Sequence, residues 1–183
     1  GKECDLNGVK NTKADGKGNV MHGMVRYLPW EMISGDANER GIFINLYFDS
    51  ICFEPIASLF GPFRISLTYR LNSNVLTAFV KIWGTKMPSS LAFHPWFEGL
   101  DWSIELPASF VWEAKDQLPT GILKPVAGTE FDLRKITHLK EKNFDDVFTG
   151  LNFDNSGKAI TSLSNSKGER INIVQSELFK HIV

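Results

Sequence analysis

Three short stretches hold side chains able to move protons or hold hydroxyl groups among aromatic rings. His22 precedes Gly23, Arg26 and Trp30; His94 sits in Phe93-His94-Pro95-Trp96-Phe97; Asp145-Asp146 lies between Phe144 and Val147-Phe148. Imidazole donates and recovers a proton near neutral pH, a carboxylate accepts from two hydroxyls at once, and an aromatic face packs on the C–H face of a pyranose. That combination suits a carbohydrate pocket. Each element also has a plainer reading. A lone histidine among aromatics can be a packing residue satisfied by a backbone carbonyl, and Asp145-Asp146 can be a turn or helix-start pair.

Other chemistries lose their usual signatures. Gly16, Gly18 and Gly23 lack dinucleotide-loop spacing, and neither a Walker lysine loop nor a Gly-x-Ser-x-Gly elbow occurs. Cys4 and Cys52 are the only cysteines and have no zinc-type neighbours, so no metal and no cofactor is expected. The net charge of −1 and the absence of a Lys/Arg stripe argue against nucleic acid as a partner. No run reaches the ~18 apolar residues that a membrane helix needs, no leader-like apolar stretch opens the chain, and no Asn-x-Ser/Thr acceptor occurs. A cytoplasmic, reducing setting away from membranes is the expectation.

The elements that must position these residues read as strands. In Phe63 to Arg70, Ile65, Leu67 and Tyr69 share a face; in Val75 to Trp83, Leu76, Ala78, Val80 and Ile82 share one and Val75, Phe79 and Trp83 the other. With both faces apolar, the second strand is expected between two layers. Further strands are expected at 41–48, 102–106, 110–113 and 171–174. Turns are expected at Asn72-Ser73-Asn74, Leu118-Pro119-Thr120-Gly121 and Asn155-Ser156-Gly157. A helical turn or two is expected only within Lys135 to Phe148. Apolar residues at 43%, charged residues at 22% and a mean hydropathy of −0.13 fit a globular chain long enough for one core. The fold expected is an all-β antiparallel sandwich. Residues 1–20, rich in Gly, Lys and Asn, read as an irregular N-terminal segment and residues 21–183 as one sandwich domain. Both ends look cut, so the chain reads as a fragment.

Taken in order, His22-Gly23-Met24-Val25-Arg26 with Pro29-Trp30, His94-Pro95-Trp96-Phe97, Leu118-Pro119-Thr120-Gly121, Gly128 to Arg134 and Phe144 to Phe148 resemble the successive motifs of the aldose 1-epimerase, or galactose mutarotase, family. The resemblance covers about residues 20–150. It implies a large antiparallel β-sandwich, here incomplete, and interconversion of the α and β anomers of an aldohexose such as galactose or glucose. On that likeness His94 is the acid that protonates the ring oxygen, His22 the second active-site histidine, and Asp145 the holder of sugar hydroxyls. Arg26 and Trp96 also line the sugar. Trp96 replaces the more usual Tyr and so lacks its hydroxyl, and Asp146 stands where many members carry His. The family's basic glutamate, usually followed by Pro, finds no match: Glu54-Pro55 imitates the dipeptide but precedes His94. The family's upstream arginine also has no counterpart. Asp132 and Arg134 read as structural, His138 and His181 as solvent-facing or packing residues. Three alternatives stay open: a non-catalytic sugar-binding sandwich, a hexose-6-phosphate 1-epimerase using Arg26, Arg64 or Arg70, and a purely structural β-domain.

Overall fold

The computed structural model describes residues 13–14, 20–54, 56–84, 90–98, 101–140 and 142–183. Cys4, Gly16, Gly18, Pro55 and most of the 1–20 segment lie outside these residues. The chain divides into two compact units, 1–93 and 94–183.

In the first unit, β1 (Lys13–Ala14) pairs with β2 (Val20–Met21). An antiparallel meander follows: β3 (Glu31–Asn38), β4 (Gly41–Asp49), β5 (Arg64–Asn72) and β6 (Val75–Trp83), in that spatial order. The register matches Phe48 to Ile65 and Ile65 to Ile82, then Leu46 to Leu67 and Leu67 to Val80. One sheet face is therefore apolar across three strands, as the alternation at 63–70 and 75–83 implied. Its covered end holds Phe48 and Ile65, and a short helix α1 (Ile56–Phe60) buries Ile56. Phe48 meets Phe53 in a stack at 5.1 Å, and Phe63 at 5.9 Å. Buried Ser50 ties the β4–β5 connection, its hydroxyl accepting from the Phe63 amide at 2.8 Å while its own N–H donates to the Phe63 carbonyl.

The expected burial of β6 between layers is corrected: Val75, Leu76 and Phe79 are 57%, 65% and 59% exposed. Val75 and Leu76 lie beside the β5–β6 turn, away from buried Phe48 and Ile65, and Val75 and Phe79 are on the face opposite Ile82.

The second unit has two four-stranded antiparallel sheets. One is ordered β10 (Thr137–His138), β7 (Trp102–Glu105), β12 (Lys158–Asn165), β13 (Arg170–Ser176). The other is ordered β14 (His181–Ile182), β11 (Phe148–Leu151), β8 (Ala108–Lys115), β9 (Leu118–Pro125). Both feed one core: Ala108, Val111, Phe148 and Leu151 from the second sheet meet Ala159 from the first, with Leu106, Val126 and Leu133 from connections. At ~25 cal/mol per Å² of apolar surface removed from water, this shared core supplies the main drive for folding the unit.

Two expectations fail here. Leu118 to Gly121 is strand, not turn; the chain reverses at Asp116 and Gln117, both left-handed with φ of 55° and 66°. Pro119 is tolerated because β9 is the edge of its sheet. Among the described residues no helix forms between Lys135 and Phe148, where β10 and a segment without regular structure run instead. Phe144 packs on Phe131 and Phe148 at 6.0 and 6.1 Å, and the Val147 carbonyl accepts from the Trp112 amide at 2.9 Å; a non-helical path meets both demands.

Candidate functional site

His22 opens the polar cluster of the first unit with a backbone that side chains rarely adopt. Its φ is 62° and that of Gly23 is 72°, two left-handed residues in succession. The chain then enters a 3-10 turn, Val25–Tyr27. The reversal brings the Arg26 guanidinium onto the His22 ring, Nη1 donating to Nδ1. Arginine has no acceptor, so Nδ1 must be the bare nitrogen and the ring proton sits on Nε2. The Nε2–H therefore lies on the side of the ring away from Arg26. The Arg26 guanidinium also lies 4.7 Å from the centroid of the Tyr27 ring.

Sequence reasoning named Trp30 among the aromatics beside His22 but gave it no role of its own. Its indole N–H donates to the Val25 carbonyl at 3.1 Å and its ring packs at 5.5 Å on Phe48. The signal was available: a tryptophan next to a core needs an acceptor for its single N–H.

The second unit carries the other expected residues. His94 and Trp96 stack at 5.3 Å and 19°, with Trp96 86% exposed. Pro95 between them fixes its own backbone and keeps the residue before it extended, so the two rings fall on one side. Asp145 is exposed on the segment leading into β11, between the anchored Phe144 and Val147. The structure therefore joins His22 with Arg26, and His94 with Trp96; Asp145 shares a unit with the latter pair. A cavity of about 540 Å³ in this unit is lined by Thr149, Leu151, Phe153, Glu177 and Lys180 among others, and includes none of the expected residues.

Several other charged groups have structural partners. Asp132 accepts from Arg134 Nε at 2.8 Å and Nη2 at 2.7 Å, and this forked bond holds its carboxyl well below the usual carboxylate range. The Ser58 hydroxyl donates to Glu54, which places that carboxylate at the start of α1. His138 Nε2 lies 3.0 Å from Asp101, and Asp101 also accepts from the Ser166 hydroxyl; these bonds, that to Ser166 first, lower the Asp101 pKa. Among the described residues no group of three His, Cys, Asp or Glu side chains could hold a metal ion, and no helix is long and apolar enough to cross a membrane.

The antiparallel sheets, two of which close on one apolar core in the second unit, match a galactose mutarotase-like β-sandwich. The crystal structure of a galactose mutarotase-like protein from Clostridium acetobutylicum has this fold, with a TM-score of 0.66 and 15% identity over 90% of this chain and 54% of that one. The chain spans about half the length of that structure. The aldose 1-epimerase family matches residues 5–180, and the chain belongs to that family. No curated protein matches it significantly.

Proposed function

We propose that the chain carries the acid and the sugar-holding groups of an aldose 1-epimerase acting on an aldohexose such as galactose or glucose. Anomer exchange needs a proton delivered to the ring oxygen as another leaves the C1 hydroxyl. The C1–O5 bond breaks to give the open aldehyde, C1 turns about its bond to C2, and the ring closes on the opposite face with both protons returned. His94 is the donor to the ring oxygen, and Trp96 beside it offers a face for the sugar's C–H groups. His22, with its ring proton on Nε2, has the chemistry to hydrogen-bond the ring oxygen or a neighbouring hydroxyl. Asp145 holds hydroxyls as an acceptor. The observation that carries the reading is the family match across residues 5–180, within which the His94–Trp96 stack sits.

No residue matches the family's basic glutamate; Glu54, the only imitation, is engaged by Ser58. General acid-base catalysis contributes about 10² to 10⁴ in rate, so this polypeptide by itself is expected to bind sugar and mutarotate it slowly. Polarimetry of freshly dissolved α-galactose or α-glucose tests this. A decay faster than buffer that His94→Ala abolishes supports the acid role, and a decay that survives His94→Ala refutes it. Sugar binding with no mutarotation at all favours a non-catalytic binding domain.

The phosphorylated-sugar reading draws less support. Of its three candidate cations, Arg64 is paired with Asp49 at 2.9 Å and Arg26 with His22. Inhibition by glucose 6-phosphate but not by glucose would favour it. The exposed free thiol of Cys52 supports a reducing, cytoplasmic setting.

A further inference from the structure

We infer that Trp30 is a positioning residue for His22, acting through the turn that carries Arg26; its consequence for sugar rests on the function proposed above. The left-handed backbone of His22 persists only where its surroundings over-determine it. The 3-10 turn that follows does little of this by itself. Its N-cap residue Met24 makes no side-chain cap, and its closing bond, from the Leu28 amide to the Val25 carbonyl, is 3.4 Å long, at the weak end of the range.

The same carbonyl accepts a better bond, at 3.1 Å, from the Trp30 indole. That indole is half-buried and its ring rests on Phe48, which is 1% exposed and gripped by Phe53 and Phe63. A continuous path thus runs from the core of the meander through Phe48, Trp30 and the Val25 carbonyl to Arg26, and from Arg26 to His22 Nδ1. Because that last contact decides which ring nitrogen carries the proton, Trp30 fixes both where His22 points and what it offers.

Trp30→Phe keeps an aromatic ring over Phe48 and removes only the N–H. In the unsubstituted protein at about pH 8, above the ordinary histidine range, the His22 ring nitrogens should give separate signals, a bare Nδ1 and a protonated Nε2. In Trp30→Phe they should move toward a common averaged position, while the β4 and β5 amides keep their protection from exchange. Unchanged His22 ring signals in the folded variant would overturn the inference. Should the variant not fold, exchange of the Trp30 indole proton in the unsubstituted protein decides: slow exchange supports the bond, and exchange at the rate of a free indole refutes it. Galactose or glucose binding should weaken about threefold to tenfold in Trp30→Phe, the effect of one hydrogen bond. If neither protein binds sugar, the function proposed above fails, and the His22 signals still judge the role of Trp30.

Discussion

The guanidinium of Arg26 donates to Nδ1 of His22, four residues earlier in the chain. A group expected to touch sugar directly is therefore committed, in part, to a histidine proposed to do so. Arg26→Met keeps a long apolar stem and removes the donor. The His22 ring should lose its single tautomer, read from its ring nitrogen resonances, and sugar affinity should fall by about tenfold or more, the scale of a hydrogen bond to a charged group. An unchanged tautomer would refute the assignment.

Trp96 stacks on His94 and leaves most of its surface free. An aromatic pair contributes ~0.5–1.5 kcal/mol beyond area burial, so Trp96→Ala should weaken sugar binding about threefold to tenfold, with Trp96→Phe close to the original. Quenching of indole fluorescence on sugar addition, lost in both variants, provides the direct check. Equal affinity in all three proteins would exclude a packing role.

The forked bond between Asp132 and Arg134 gives a pH dependence of defined sign. Its folded pKa lies below the ordinary value, chiefly through the Arg134 side chain. The unfolded chain then binds more protons, and stability rises with pH across the window between the two values. The contribution is complete above about pH 4 and is lost as the pH falls toward the folded value. Denaturation of the protein and of Asp132→Asn should show a stability gap at pH 7 that closes below about pH 4. A gap of constant size down to pH 2 would contradict the assignment.

Gly41 starts β4 with φ of 119°, and a Cβ there would stand 2.2 Å from the Leu71 carbonyl oxygen, which belongs to backbone and cannot step aside. Gly41→Ala should destabilise the meander by about 1–3 kcal/mol or more, measured by urea unfolding. Gly23→Ala serves as the comparison: its φ of 72° lies beside the left-handed region that L residues sometimes adopt, and nothing lies within 4 Å of the added methyl, so only a smaller backbone penalty applies. Equal losses in the two variants would refute the close-approach argument.

The strands most legible in the sequence were those whose two faces differ in chemistry. Ile65, Leu67 and Tyr69 alternate with Ser66, Thr68 and Arg70, and the pairing of β5 with β4 and β6 preserves that alternation. The β8–β9 reversal was misplaced because Pro119 and Gly121 are conspicuous turn formers, whereas Asp116-Gln117 is not; edge position decided the matter, and that is a property of the sheet. Helix α1 was missed because five residues give too little periodicity, and β12 because its polar Thr161, Ser162 and Ser164 hide a buried side holding Ala159 and Leu163. At the candidate site the motifs gave residue types and order. They could not give the His22 tautomer, which depends on a left-handed backbone and on where a long arginine ends.

Strand β6 runs for nine residues as the border of its meander among the described residues, with Val75, Leu76 and Phe79 in water and Lys81 as its single charge. Its free amides and carbonyls form a template that another extended chain can copy, and one lysine is a thin guard against that. The practical consequence is colloidal. Concentrated solutions of this polypeptide should grow large species with time, seeded through β6, and Phe79→Lys should delay their appearance in light scattering without altering the unit that carries His94.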